Sequence, residues 1–553
     1  MSRRPLPPLS MPPTPMRRTR RPALLGLLLV GLSVTGLTAC ADDFLTENPP
    51  DELVADNLYV DLTGFEAGLN ALYAQVRLER YGLDGANDLT GTMWVVGTDN
   101  GWVNYDYNIS RPFSDWGPLV NPLYSDFNTV FVRMYRTINA ANTIINRAEN
   151  PDVDWTEADK NRVVAEARLF RAWAYRHLTY LWGDVPLNTE EAAGSTIRTD
   201  WERAPLNEVL AFVEADLLFA SQYLPVEADL DGKLTKAVAD HYLAEHYLRV
   251  DDPAKAEQYT QDVIAGPYRL VTERYGDQDY PDGCAFMDQF RDGNASRSQG
   301  NTESLWTLQL EFEVPGGGEN IMRRWWVNRY YSNRGLQVSP EFGGRGLGRI
   351  AITAWALDLY EEDDDRGFAC AIRRDYPYND PGNLPSGAAL GDTLAMTYAG
   401  SRETSGARTS DWPSTRKWDW TDDVDLDGAR QYGDQPYLRL AETYLLLAEA
   451  QLKQGNTTGA AEAINTLRRR ANASEITPDD VTLGFILDER SRELVTEEHR
   501  RYTLLRTGTW LSRTRLYNNQ AGPNITERDR LFPIPQPVID ANLTTPMEQN
   551  PGY

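Results

Sequence analysis

The stretch from 436 to 472 carries the clearest hydrophobic pattern in the chain. Apolar and small residues recur at three- and four-residue spacing from Leu440 to Leu452, which fills contiguous faces of an α-helix. A Gly-Asn pair then interrupts the period, and Thr457 or Thr458 can cap a second helix whose apolar stripe runs from Ala460 to Ala471. The pattern predicts two helices packed as an antiparallel hairpin.

A second copy of this pattern lies nearly two hundred residues earlier, between 240 and 266. Both copies match the offsets of a tetratricopeptide repeat, in which small residues let paired helices approach closely. The matching positions are Leu243, Ala244, Tyr247 and Ala256 in the first copy and Tyr444, Leu447, Ala448, Ala460, Ile464 and Leu467 in the second. One such pair cannot bury its stripe alone, so we expect the copies to stack with further pairs into a right-handed superhelix.

Helical periodicity also covers 57–76, 130–147 and 157–181, whereas 274–404 breaks it. This middle region has strand-like alternation at 303–311 and a Gly-rich turn at 316–318. The predicted fold is therefore mostly α, with a long irregular region of loops and short strands in the middle. We expect one large interleaved domain.

Composition limits the classes of ligand that the protein can be expected to bind. The formal charge of −26 argues against a polyanionic partner, because phosphate contacts need clustered Lys and Arg. Nucleic acid is therefore not an expected ligand. The 15 Trp and 28 Tyr exceed what a core requires, and both side chains carry a polar handle suited to surfaces. We expect something to be bound by aromatic rings.

The first 39 residues have the features of a signal peptide. Basic residues at 17–21 precede an apolar run, Ala23 to Leu37, that is short for a membrane span. Leu37-Thr38-Ala39-Cys40 then matches the bacterial lipobox, so Cys40 is the predicted lipidation site and mature N-terminus. The acidic pair 42–43 resembles a signal for export to the cell surface and equally suits a solvated tether.

Two further cysteines, Cys284 and Cys370, follow in the mature chain. An exported protein can form a disulfide, but two cysteines in so long a chain are not a framework. Whether they pair stays open.

Two aromatic clusters are the candidate ligand platform. They comprise Trp102, Tyr105, Tyr107 and Trp116 in a loop-rich segment, and Trp325, Trp326, Tyr330 and Tyr331 in the middle region. Loops run over the surface, and adjacent tryptophans do not share one face of a regular element, so some of these rings are expected to reach solvent. The alternative is that they fold inward as a small satellite core.

A candidate calcium loop lies at 423–434. Its oxygen ligands would be Asp423, Asp425, Asp427 and Asp434, with Gly428 at the sharp turn. The upstream helix of that template is missing, and Asp closes the loop where Glu is usual. A solvated acidic turn is the alternative.

Enzyme signatures are weak. His241 and His246 do not share a helix face, and phosphate loops and nucleophile elbows are absent from the sequence. Glu489, Glu493, Glu497, Arg490, Arg500 and Arg501 are interpreted as an ion-pair ladder along one helix. The alternatives to a binding protein are an all-helical glycosidase, which also pairs aromatics with carboxylates, and a repeat protein that docks only other proteins.

Several strings resemble the SusD/RagB family of outer-membrane lipoproteins. They are 168–175 (RLFRAWAY), 182–187 (WGDVPL), 437–450, 487–494 (LDERSREL) and the tail 531–553, which ends in QNPGY. The resemblance implies about four tetratricopeptide-like pairs and a mature chain divided into an N-terminal repeat part at 40–270, a ligand-face region at 271–435 and C-terminal repeats at 436–553.

The resemblance also implies a function. Such a protein is a non-catalytic, lipid-anchored lipoprotein at the cell surface that captures nutrient, here expected to be an oligosaccharide. It passes the ligand to a SusC-type TonB-dependent transporter and requires no cofactor; the calcium loop considered above is a separate expectation from the residues. Peptide-binding members of the family exist, so the ligand's identity stays open.

Overall fold

Both predicted hairpins are present in the computed structural model. The second comprises Leu440–Lys453 and Thr457–Arg470, and the first Lys236–Arg249 and Pro253–Ala265. The second hairpin's cap differs from the prediction: the side chain of Asn456 accepts the Gly459 amide hydrogen, one residue before the threonines. The structure describes residues 55–80, 92–104, 112–113, 116–193, 197–278, 280, 282–399, 403, 409–420, 424–428 and 430–553.

Twelve helices of six or more residues lie in these ranges. They are α1 Leu62–Arg77, α2 Ser125–Arg147, α3 Glu157–Trp182, α4 Leu206–Tyr223, α5 Lys236–Arg249, α6 Pro253–Ala265, α7 Leu440–Lys453, α8 Thr457–Arg470, α9 Leu483–Leu494, α10 Arg500–Arg506, α11 Trp510–Tyr517 and α12 Gln536–Ala541. Shorter helical turns occur at Ala55–Leu58, Ala285–Asp288, Met322–Trp326 and Ala354–Leu357.

The long helices pack in series, each against the next from α2 to α8, and α9 packs on α7. Helices α6 and α7 are neighbours although the whole middle region separates them in sequence. The two copies of the repeat therefore lie side by side, because their small residues, such as Ala256 and Ala448, are fully buried where helices meet. This confirms the prediction of a mostly α fold with tetratricopeptide-like helix pairs.

Short antiparallel strand pairs lie within the middle region or connect it with chain on either side of it. The strands are β1 Gly101–Val103, β2 Ser304–Leu308, β3 Ile350–Ile352, β4 Ile372–Arg373, β5 Asp375–Pro377, β6 Thr393–Ala395, β7 Ser414–Thr415 and β8 Gln435–Arg439. β1 pairs with β3, β2 with β8, β4 with β7, and β5 with β6. Since β8 runs directly into α7, the β2–β8 pair joins the middle region to the repeats.

A buried ionic network fixes that junction. Arg439 contacts Glu303, Glu493 and Glu497, and Glu493 also contacts Arg366 and Arg470. Burial alone would raise the pKa of Glu493, but the surrounding guanidinium groups hold it well below its ordinary value. The predicted ladder along one helix is therefore wrong, because these charges pair between β8, α8, α9 and the middle region.

Cys284 and Cys370 form a disulfide, with 5.8 Å between their Cα atoms. The chain from Leu58 to Tyr553 forms one compact unit. Within the described ranges, no helix combines the length and apolarity needed to cross a bilayer.

Candidate functional site

A partly exposed aromatic pair lies where β2 ends and β8 begins. Phe312 follows β2 and is 37% exposed, and half-buried Tyr432 precedes β8. Their rings meet edge to face with centroids 4.8 Å apart. Antiparallel pairing of β2 with β8 brings these two distant segments together.

Two open pockets flank this pair, and together they are called the Phe312 groove. The larger, about 470 Å³, lies between the end of α1 and the 311–319 loop. The smaller, about 400 Å³, is lined by 292–293, 310–312 and 432–434. Both share Glu311, Phe312 and Tyr432, so a chain-like ligand can pass over the aromatic pair from one pocket to the other.

The base of the 311–319 loop is fixed by backbone pairing. Asn320 and Gln431 exchange two N-H···O bonds of 2.9 Å. On the other side, the Asp434 carboxylate accepts the Leu310 amide hydrogen at 2.9 Å. Gly318 has φ +77°, and a Cβ there would lie 3.1 Å from Arg77 Nε, so glycine suits the approach of the loop to α1. The aromatic pair is thus held on a rigid base.

The polar edge of the groove contains positively and negatively charged side chains. Arg430 Nε lies 3.1 Å from a Glu319 carboxylate oxygen, and the Arg77 guanidinium donates to the Gly316 carbonyl. Glu311 and Glu313 flank Phe312 in sequence and are exposed, and no described residue bonds to either carboxylate. An aromatic face bordered by acceptors and donors is the arrangement that fits a pyranose, which presents C-H groups on its face and hydroxyls at its edge.

A second groove, the α2 groove, lies between α2, residues 186–192 and 197–201, and α12, and measures about 680 Å³. Two of its amide side chains already serve the protein: Asn139 bonds both backbone groups of Ala192, and Asn542 bonds both of Trp201. Its lining is otherwise largely apolar, with the Arg198 guanidinium over the Trp201 ring. The charged side chains in its lining are Arg136 and Arg198, whereas seven charged side chains line the Phe312 groove, which therefore offers more charged groups to sugar hydroxyls.

Five of the eight predicted platform aromatics are in the core: Trp102, Trp116, Trp325, Trp326 and Tyr330 are each at most 2% exposed. The prediction that these rings present a face to a ligand is wrong. Trp102 packs on Trp412, Trp116 on Trp510, and Tyr330 stacks on Tyr376.

The two adjacent tryptophans are both buried because other segments cover the short helix Met322–Trp326 except at the half-buried Arg324. Tyr331 is half-buried, and its hydroxyl donates to the Gly346 carbonyl. Tyr105 and Tyr107 lie outside the described residues, as does Cys40.

The calcium loop stays a prediction. Asp423 lies outside the described residues. Asp425 accepts the Arg430 amide hydrogen at 3.0 Å, and the Asp434 carboxylate also accepts the Ser296 hydroxyl at 3.2 Å. Asp425, Asp427 and Asp434 do not form a group of converging ligand atoms among the described residues.

Glu79, His177 and His499 do form such a group, with ligand atoms within 4.8 Å of one another. However, Arg176 lies 3.0 Å from His499 Nδ1, and a guanidinium only donates. The His499 proton therefore resides on Nε2, which faces Glu79 at 2.5 Å. Since that nitrogen is a donor, the group is an internal hydrogen-bond network and a poor metal site.

Sequence reasoning missed Phe312 and Tyr432. The available signal was the string Glu311-Phe312-Glu313, a large apolar residue between two acids where strand alternation ends and a Gly-rich turn begins. Its partner Tyr432 could be identified only from the β2–β8 pairing.

Known proteins resemble this chain along most of its length. Residues 302–553 match the profile described as the SusD family, and residues 44–248 match a SusD-like profile described as starch-binding and associating with the outer membrane. The starch-binding protein SusD of Bacteroides thetaiotaomicron is 27% identical over 96% of this chain and 98% of its own. SusD-like protein P2 of Formosa agariphila is 25% identical over 94% and 97%.

Solved structures share the fold. A laminarin-binding SusD-like protein superposes with a TM-score of 0.67 at 22% identity, over 89% of this chain and 99% of its own. Surface glycan-binding protein A of Bacteroides thetaiotaomicron, in complex with laminarihexaose, gives 0.66 at 19% identity, over 88% and 98%. The helical repeat scaffold and the two profile matches agree, and the chain belongs to the SusD family.

Proposed function

We propose that this protein captures an oligosaccharide in the Phe312 groove without catalysing a reaction on it. The observation that carries the proposal is the partly exposed Phe312–Tyr432 pair, held on a rigid base between two pockets and bordered by carboxylates and guanidinium groups. Relatives named for starch and laminarin binding support the ligand class.

The proposal extends to location and partner. Cys40 would be lipidated and anchor the protein in the outer membrane with its ligand face outside the cell. The captured sugar would pass to a SusC-type TonB-dependent transporter, which the helical repeats would contact. The apolar α2 groove lies on that repeat surface and is suited to a protein partner.

The ligand test is calorimetric titration of maltohexaose and laminarihexaose into Phe312→Ala and Tyr432→Ala. Truncating a central aromatic contact typically costs about 2 kcal/mol, so we expect roughly a thirtyfold loss of affinity for the better sugar. Phe368→Ala is the matched control, because Phe368 is 43% exposed and lies outside both pockets. Wild-type affinity in both groove variants would refute this site, and a shortened sugar after incubation would refute the non-catalytic role.

Partner and anchor are tested separately. The transporter should co-purify with the Phe312→Ala protein as it does with wild type, because the repeats and not the groove are proposed to hold it. Intact mass of membrane-extracted protein should show a lipidated chain beginning at Cys40. Loss of the complex in the groove variant, or an unmodified Cys40, would refute the respective part.

A further inference from the structure

The charged side chains of the Phe312 groove are predominantly acidic. Five carboxylates line its two pockets, against two guanidinium groups: Asp292, Glu311, Glu313, Glu319 and Asp434, against Arg77 and Arg430. Both guanidinium groups are engaged by the protein, Arg430 with Glu319 and Arg77 with the Gly316 carbonyl. The groove therefore presents a surplus of negative charge to whatever enters it.

The two carboxylates nearest Phe312 in sequence are those least compensated. Glu311 and Glu313 are exposed, and no described residue pairs with them. Both line the larger pocket, and Glu311 lines the smaller pocket as well. A ligand lying across the aromatic pair would have these carboxylates at its edge.

The rest of the molecule reinforces this field. The chain has a formal charge of −26, and this total already includes six arginines that precede Cys40. A cleft with a surplus of one sign of charge focuses the potential, so an anion is repelled before contact and again within the groove.

We infer that the Phe312 groove selects uncharged oligosaccharides and discriminates against chains of the same linkage that carry carboxylate or sulfate groups. This rests on the proposed function, because it concerns the ligand class of the same site. Hydroxyl groups can donate to Glu311 and Glu313, whereas an anionic substituent at the same edge meets like charge. Like charges about 4 Å apart disfavour binding by roughly fivefold in a water-like medium, and by more where the site is partly desolvated.

The test compares sugars of one backbone that differ in charge. The probes are maltohexaose, laminarihexaose and the form of each in which the C6 hydroxyls are oxidised to carboxylates. We expect the oxidised form of the better sugar to bind at least about fivefold more weakly at about 0.01 M ionic strength, with the difference shrinking at about 1 M because salt screens exposed charges. Binding of the neutral sugar should change little with salt.

Oxidation also removes a hydroxyl donor, and two variants separate that effect from charge. Glu311→Gln/Glu313→Gln keeps side-chain size and should weaken binding of the neutral sugar, because its hydroxyl groups lose charged acceptors, but should also narrow the ratio of neutral to oxidised affinity severalfold, because the repulsion of the oxidised sugar is removed. Glu202→Gln/Glu208→Gln removes the same charge from exposed positions outside both pockets and should leave the ratio unchanged.

The outcomes are distinct. Equal affinity for neutral and oxidised sugars, or a ratio that the Glu311→Gln/Glu313→Gln change leaves untouched, overturns the inference while the proposed function stands. Binding of the oxidised sugar alone also overturns it. Failure of both neutral and oxidised forms to bind refutes the proposed function, and the inference falls with it.

Discussion

Replacing Glu493 by Gln should destabilise this protein far more than the same change at the surface. The Glu493 side chain is fully buried at the junction between the repeats and the middle region. One carboxylate oxygen lies 3.0 Å from Arg439 and 2.5 Å from Arg470, and the other lies 3.1 Å from Arg366. The substitution removes one of the charges that compensate three buried guanidinium groups.

The magnitude follows from that geometry. Gln can keep an acceptor toward Arg439 and Arg470, but its amide hydrogens then point at Arg366, donor against donor. Removing one partner from a buried ion pair typically costs about 3–5 kcal/mol, because charge is left uncompensated. For a cooperative unit of about 500 residues, this corresponds to a fall in melting temperature of roughly 3–5 °C.

The assay is urea unfolding at low and high salt, with the urea dependence of the free energy held in common. Glu462→Gln is the matched control: Glu462 pairs with Arg469, but its side chain is 65% exposed, and such surface pairs contribute less than about 1 kcal/mol. The loss of unfolding free energy caused by Glu493→Gln should persist at high salt, because buried charges are poorly screened. A cost no larger than that of Glu462→Gln would refute the role given to the network.

Three further predictions concern the rest of the molecule. Replacing Cys284 and Cys370 by Ser should lower the free energy of unfolding by up to about 4–5 kcal/mol, because the disulfide closes a loop with a sequence separation of 86 and so restricts the unfolded chain. Reduction of the wild-type disulfide should have the same effect, and unfolding that does not change in reducing buffer would contradict the prediction. Burial lowers the pKa of His246 to about 4, so on acidification the unfolded chain takes up a proton before the folded chain does. The free energy of unfolding should therefore fall by up to about 3 kcal/mol from this residue as pH drops from about 6.5 to about 4. His246→Gln should flatten that part of the plot of unfolding free energy against pH, and an unaltered plot would contradict the prediction. If the acidic loop binds calcium, millimolar Ca²⁺ should raise the melting temperature of wild type but not of Asp427→Asn, whereas equal melting with and without chelator would exclude the site.

The helical part of the fold could be predicted because its signal is local. The stripe from Leu440 to Leu452 specifies a helix face within a few turns, and a small residue such as Ala448 indicates close packing without reference to distant chain. Burial of the aromatics has no such local signal. Trp325 and Trp326 point different ways from one short helix, and both are buried only because other segments enclose that helix.

Contacts between segments that are distant in sequence explain why sequence reasoning missed the buried ion pairs and the Phe312–Tyr432 contact. Glu303, Arg439, Arg470 and Glu493 read individually as ordinary charged residues, and only the β2–β8 pairing and the packing of α8 and α9 bring them together. The same pairing makes neighbours of Phe312 and Tyr432. The sequence showed aromatic and charged residues in excess, and the tertiary fold decides which of them face solvent.

The closed base of the 311–319 loop has a consequence for how this protein can diversify. The Asn320–Gln431 backbone bridge and the Leu310–Asp434 bond seal the two ends of the loop, and Arg323 beneath them donates to the carbonyls of Asp425, Gly428 and Arg430. Changes in loop length or sequence between those anchors need not disturb the strands or the repeats. The segment can therefore be exchanged as a unit: loops from relatives with other sugar preferences could be grafted between Leu310 and Asn320. In evolution, substitutions in this loop could change the ligand preference while the scaffold stays constant.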